Sequence, residues 1–183
     1  MHTAPRNPNV YTDAVSADEW QCNYNSQIRG VGIQFLSMVA NSLEEMRDEA
    51  RRSRPLLTAL LLHDVPCNGN RIHWETISRV WKALDTNNVT AARFIGYWDP
   101  AARVTSSEPR LRVSTYSWAD EKRLLLVVGN LSDAAASGQL DLKAVLGAGV
   151  APTATDAETG EPVDILQPIS LSDRDFRLLR VVW

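Results

Sequence analysis

The sequence predicts an α+β fold: a β/α segment over residues 1–104, then an antiparallel β-sandwich over residues 105–183. Three observations carry this reading. A strand–helix–strand pattern with short connections occupies residues 56–98. Short apolar or alternating runs separated by turn residues fill residues 111–183. Between them "DPAARVTSSEP" is polar, Pro-bearing and unpatterned, as a boundary should be. At 183 residues the chain is long enough to bury a sizeable core.

The first segment reads as follows. Asn and Pro are frequent at the start, so residues 1–26 read as loop. From Ile28, the residues Val31, Phe35 and Val39 recur at helical spacing, interrupted by Gly30 and Gly32. Ser42 and Glu45 form a capping box that predicts a helix over residues 43–53, stopped by Pro55. "LLTALLL", residues 56–62, then reads as a buried strand that ends abruptly on His63 and Asp64. After the Asn68-Gly69-Asn70 turn, Ile77, Val80, Trp81 and Leu84 share one face of a helix from about His73 to Leu84. "ARFIGYWDP" reads as a second buried strand, cut off by Asp99-Pro100. Two apolar strands joined through a helix predict a parallel pair covered on both faces.

The second segment is a succession of strands. "LRVSTYSW" alternates, "RLLLVVGNL" is nearly all apolar, and the four residues between them suit a hairpin. "GQLDL" sets Leu140 and Leu142 on one face, and "PTATDAETGEPVDI" reads as a hairpin around Thr159-Gly160. "ISLSDRDFRLLRVVW" closes the chain with two strands around Asp173-Arg174.

Composition excludes several classes. Apolar residues at 44% and charged residues at 22% are ordinary for a globular protein. A net charge of −3 gives no reason to expect nucleic acid or an anionic membrane as partner. The run Arg47–Arg54 is diluted by Asp48 and Glu49 and reads as a solvated helix end. The first residues lack the basic and apolar regions of a signal peptide, and no apolar run approaches the roughly 20 residues of a membrane span. That leaves localisation open. Cys22 and Cys67 fit free thiols in a reducing compartment or a single disulfide; with one nearby His they are too few for a zinc site. No glycine-rich nucleotide loop and no serine elbow is present, so neither a metal nor a cofactor is implied.

The phrases "LLLHDVP", "ARFIGYWDP", "VSTYSWADEKRLLLVVGNLSD", "DAETGEPVDI" and "DFRLLRV" resemble the C-terminal part of (β/α)8-barrel glycoside hydrolase-like proteins. The resemblance covers most of residues 56–183 and implies the last barrel strands followed by a C-terminal β-sandwich. A whole barrel needs eight strands and roughly 250 residues. The chain would then be the tail of a larger carbohydrate-active enzyme, inactive as a fragment, and free to self-associate through the open edge of its short parallel sheet.

In that frame His63 and Asp64 stand at the C-terminal end of a barrel strand, where such enzymes build catalytic groups. Tyr97 and Trp98 are candidates for sugar stacking, with Asp99 beside them and Trp20 on an N-terminal loop. Glycoside hydrolysis needs two carboxylates; Asp64 is one candidate, Asp99 is the only other acid in an equivalent position, and the alternative is a pair supplied by residues upstream of this chain. Each residue has a plainer reading as well. Asp64 and Asp99 suit turn caps, His63 a satisfied core ring, and the aromatics core packing. Two alternatives of other classes stand beside the enzyme fragment. One is a non-catalytic carbohydrate-binding sandwich displaying exposed Trp or Tyr; the other is a structural domain that offers an interface.

Overall fold

A computed structural model of the protein describes residues 16–24, 35–36, 50–69, 72–119, 121–147 and 149–183. The Ser42–Glu45 capping box and most of the helix read from Ile28 lie outside the described residues. Within that second stretch Phe35–Leu36 are extended instead, forming β1.

At the centre is an antiparallel sheet of six strands in the order β10-β9-β12-β6-β5-β3. The strands are β3 (Arg93–Ile95), β5 (Leu111–Ser117), β6 (Arg123–Asn130), β9 (Thr153–Asp156), β10 (Pro162–Val163) and β12 (Phe176–Val182). The expected hairpins form: β5 pairs with β6, and β9 with β10 around Thr159-Gly160. Gly160 sits at φ 79°, a left-handed conformation that glycine adopts without penalty. The two closing strands also form, but they part company. β11 (Ile169–Leu171) pairs with β7 (Ala136–Gly138), whereas β12 enters the central sheet between β6 and β9. A further short pair joins β4 (Thr105–Ser106) to β8 (Leu140–Asp141). The result is an antiparallel, sandwich-like arrangement in which the central sheet has both faces covered.

That double cover explains "RLLLVVGNL". Along β6, Leu124, Leu126 and Val128 join one core with Val113, Leu140, Ile169 and Leu179. Leu125 and Val127 face the other way, into a core with Phe176, Leu178 and Tyr116. Alternation still governs the strand, but both sides are apolar because both are buried.

The second core is closed by two helices, α2 (Ala50–Leu62) and α3 (Trp74–Thr86), after a short N-terminal turn, α1 (Ala17–Glu19), that continues as a π-helical turn over Trp20–Tyr24. The helix expected near residues 73–84 is therefore present; His73 is its N-cap, its Nδ1 accepting the Thr76 amide at 3.3 Å.

The strand expected over residues 56–62 is not a strand. It is the second half of α2, which runs straight through Pro55. Leucine and alanine are strong helix formers, and Thr58 is the only β-branched residue of the seven. The run lacks helical periodicity because every residue from Pro55 to His63 is buried, between the sheet on one side and α3 on the other.

β3 is likewise not the parallel partner of that segment. It lies antiparallel to β5, with Arg93 opposite Ser117 and Ile95 opposite Thr115. Among the described residues the parallel pairing is a two-residue one, Phe35–Leu36 with β2 (Cys67–Asn68). The parallel β/α unit of residues 56–98 therefore does not form, and self-association through its open edge loses its basis.

Arg54 ties the helix layer to the sheet. Its Nε bonds Asp175, Nη2 donates to Phe176 O at 2.6 Å, and Nη1 lies 3.3 Å from Glu158 Oε1. Its guanidinium also stacks 4.0 Å from the Phe176 ring. At Gly129 the helix approaches so closely that a Cβ would lie 2.7 Å from Leu62 Cδ1.

Candidate functional site

The abrupt stop after "LLTALLL" is a helix cap. Asp64 is in the left-handed conformation, φ 55°. The Asp64 amide donates to Leu61 O at 3.4 Å and the Val65 amide to Leu60 O at 2.9 Å. These bonds satisfy carbonyls that the last turn would otherwise leave free. Pro66 then prevents further helix. His63 and Asp64 thus stand at the end of a helix instead of the mouth of a parallel barrel, which corrects the position expected for them.

The two side chains diverge. His63 turns into the core and is 0% exposed. Trp98 stacks on one side of it, centroids 5.0 Å apart and planes at 17°, and Trp20 stacks at 5.8 Å and 25°. Tyr97 meets the ring edge-on at 5.6 Å. Three of the expected sugar-binding aromatics therefore converge on His63 and enclose it. Trp20 is itself 2% exposed, helical rather than in a loop.

The polar atoms of this cluster are matched. Ala59 O can only accept, so His63 Nδ1 carries the proton that bridges the 2.6 Å between them. Burial pushes the His63 pKa down to about 4, the backbone bond opposing it, so the ring is neutral near pH 7 and Nε2 is an acceptor. Tyr97 Oη donates to it across 3.3 Å and accepts from Gln21 Nε2 at 2.9 Å. Burial raises the Tyr97 phenol, with the Gln21 bond acting against it.

Beneath this lies Ser114, fully buried on β5. Its hydroxyl donates to Leu62 O at 2.8 Å and accepts the Tyr97 amide at 3.1 Å. Gly96 allows the turn to close, since a Cβ there would meet the Trp98 ring at 2.6 Å.

Asp99 does not join the cluster. It caps its own turn, accepting the Ala101 amide at 2.8 Å, while its backbone bonds Gly96 and Ala102. Asp64 points away from His63, toward Tyr116, whose hydroxyl donates to Oδ1 at 2.7 Å. Burial, then the adjacent carboxylate, drives the Tyr116 pKa well above its usual value. The pair borders a cavity of about 600 Å³ enclosed by α2, α3 and the β3 edge.

Gln21, Ser114 and Tyr116 were not legible as partners from sequence. The only signal was the β5 alternation, which sets Ser114 and Tyr116 on one face. Trp118 is 8% exposed, with Arg123 stacked 3.8 Å over it, and Trp183 packs half-buried against the strand core. The sandwich therefore shows no exposed coplanar aromatic patch among its described residues. Cys22 and Cys67 are free thiols, Cys67 buried. Among the described residues no cluster of three metal-ligating side chains occurs, and no helix is long and apolar enough to cross a membrane.

Residues 76–164 match the family model described as glycoside hydrolase 123, C-terminal domain. No curated protein is matched by the chain. Among solved structures, a noncanonic maltogenic alpha-amylase AmyB from Thermotoga neapolitana aligns with a TM-score of 0.55 at 14% identity, covering 97% of this chain and 46% of its own. A GH27 β-L-arabinopyranosidase from Geobacillus stearothermophilus aligns over 70% of this chain and 29% of its own, at 13% identity and a TM-score of 0.42. The chain thus spans less than half the length of the amylase, and that likeness shows a shared fold. Residues 76–164 are thus similar to the C-terminal domain of a glycoside hydrolase family, in line with the resemblance that the quoted phrases carry.

Proposed function

We propose that this chain is the non-hydrolytic C-terminal part of a carbohydrate-active, glycoside hydrolase-like enzyme, and that it supports a catalytic portion supplied by a longer parent. The family match over residues 76–164 carries this reading. Side-chain geometry supports the absence of hydrolysis by the chain alone. A general acid must reach the glycosidic oxygen, and its partner carboxylate must flank the same bond. Asp99 is committed to its own turn and Asp64 to Tyr116, while His63 is sealed between two indoles.

The test is direct. The purified 183-residue chain is incubated with a panel of nitrophenyl glycosides of both anomeric configurations. No release of nitrophenol above buffer is expected. Turnover that disappears in Asp64→Asn or Asp99→Asn would overturn the proposal.

A further inference from the structure

A groove on the outer side of the β4–β8 pair gathers polar side chains that the fold leaves partly uncommitted. Thr105 stands directly opposite Asp141, so both side chains leave the same face of the pair, while Ser106 and Leu140 turn to the other. Ser107 and Gln139, two positions along from each, return to the outer face, and the Ser107 amide donates to Gln139 O at 2.9 Å. All four line a cavity of about 810 Å³, within the roughly 300–1,000 Å³ typical of small-molecule pockets. Leu166 and Val150, 62% and 40% exposed, mark its opening. They are two of the four large apolar side chains exposed among the described residues, so apolar surface left open to water concentrates here.

The hydrogen-bonding capacity of the groove is of both kinds. Asp141 Oδ1 accepts the Lys143 amide at 3.0 Å, and Oδ2 keeps its lone pairs for a ligand. Ser107 Oγ accepts the Gln139 amide at 2.9 Å, which leaves its hydroxyl proton to donate. Gln139 Nε2 donates to Leu166 O at 2.7 Å, which fixes the side chain and leaves its carbonyl oxygen to accept. The Thr105 hydroxyl, unbonded among the described residues, does both. Neighbouring hydroxyls that each donate and accept match such a set; a molecule that only donates or only accepts does not. Asp141 and Lys143 are exposed and opposite in sign, so the groove favours neither an anion nor a cation. We propose that this groove binds a short neutral oligosaccharide, whose hydroxyls bond Asp141, Thr105 and Gln139 while Leu166 and Val150 pack against its C–H faces. The choice of a sugar among polyols rests on the carbohydrate-active reading above; binding is measured without turnover, so each claim fails on its own result.

The probes are maltotriose, cellotriose, xylotriose, mannotriose and N-acetylchitotriose, each titrated into the full isotopically labelled chain and followed by amide NMR shifts. At least one should shift the amides of Thr105, Ser107, Gln139 and Asp141 saturably, with a dissociation constant of about 1 mM or below. Hexane-1,6-diol, trigalacturonate and leucine, which test for an apolar alcohol, an anion and a zwitterion, should each bind roughly tenfold more weakly or not at all. Asp141→Asn still accepts the Lys143 amide but offers the ligand a neutral oxygen, and should weaken the trisaccharide about tenfold. Thr105→Val keeps the branched shape, removes the hydroxyl and should weaken it about fivefold. Both positions are exposed, so the variants retain the fold, which the same spectra verify. The absence of saturable shifts at these amides with all five trisaccharides at about 20 mM overturns the proposal. So does leucine or hexanediol binding as tightly, an affinity unchanged in both variants, or shifts confined to the surroundings of the exposed Trp74 on α3.

Discussion

Acidification should unfasten the His63 cluster in a way that can be isolated and measured. In the folded protein the imidazole titrates at about 4, whereas in an unfolded chain it titrates near ~6.5. Between these values the unfolded state binds more protons, so stability contributed by the neutral ring is intact above pH ~6.5 and is lost as the pH falls toward 4. Linkage gives a loss of about 2 kcal/mol by pH 5 and about 3 kcal/mol by pH 4. Carboxylates titrate in the same range, so the quantity to follow is a difference. Urea unfolding of the wild type and of His63→Phe is measured from pH 7 to pH 4, and the two free energies are subtracted. Phenylalanine keeps an aromatic ring between Trp20 and Trp98 but carries no proton. The wild type's margin over the variant should shrink by the amounts above. A margin that stays flat between pH 7 and pH 5 would refute the burial of a neutral, bonded imidazole.

Other perturbations probe the joints between layers. Arg54→Met strands the nearly buried Glu158, 7% exposed, and Asp175, and should cost about 3 kcal/mol in urea denaturation; lysine should not restore it, because one ammonium cannot replace the forked contacts. Ser114→Ala leaves Leu62 O and the Tyr97 amide without their shared partner, for a loss of about 2 kcal/mol in the same assay. Gly129→Ala drives a methyl against Leu62 and Thr58 and should lower stability by roughly 1–3 kcal/mol, an effect that couples non-additively to Leu62→Ala in a double-mutant cycle.

How far the fold was legible depends on how many faces an element buries. α3 presents one apolar face and one polar face, so Ile77, Val80, Trp81 and Leu84 announced it. α2 is buried all round over its second half, so its period vanished, and a run of leucines resembles a covered strand as closely as a covered helix. Composition held the better clue, since "LLTALLL" contains one β-branched residue. Pro55 misled for a related reason: it ends many helices, yet α2 continues past it, held by burial.

The candidate site was half legible. His63, Tyr97, Trp98 and Trp20 do meet, as their grouping in sequence suggested, but they meet to fill space. Whether an aromatic ring packs on a sugar or on its neighbours is decided by tertiary closure, which a spacing pattern does not contain. A turn cap was among the readings of Asp64, but the details of that cap were not legible. Its function as a cap needs a positive φ, and its partner Tyr116 lies 52 residues away on another element.

The central claim is that "LLTALLLHD" ends a helix and seals His63 inside, where no substrate reaches it. Backbone and imidazole NMR on the isotopically labelled chain tests it most directly. The account predicts helical Cα shifts through Leu62, a positive φ at Asp64, and a neutral His63 protonated on Nδ1 and slow to exchange. Extended shifts over residues 56–62, with a freely exchanging His63 that titrates near an ordinary value, would contradict it and restore the strand-end site.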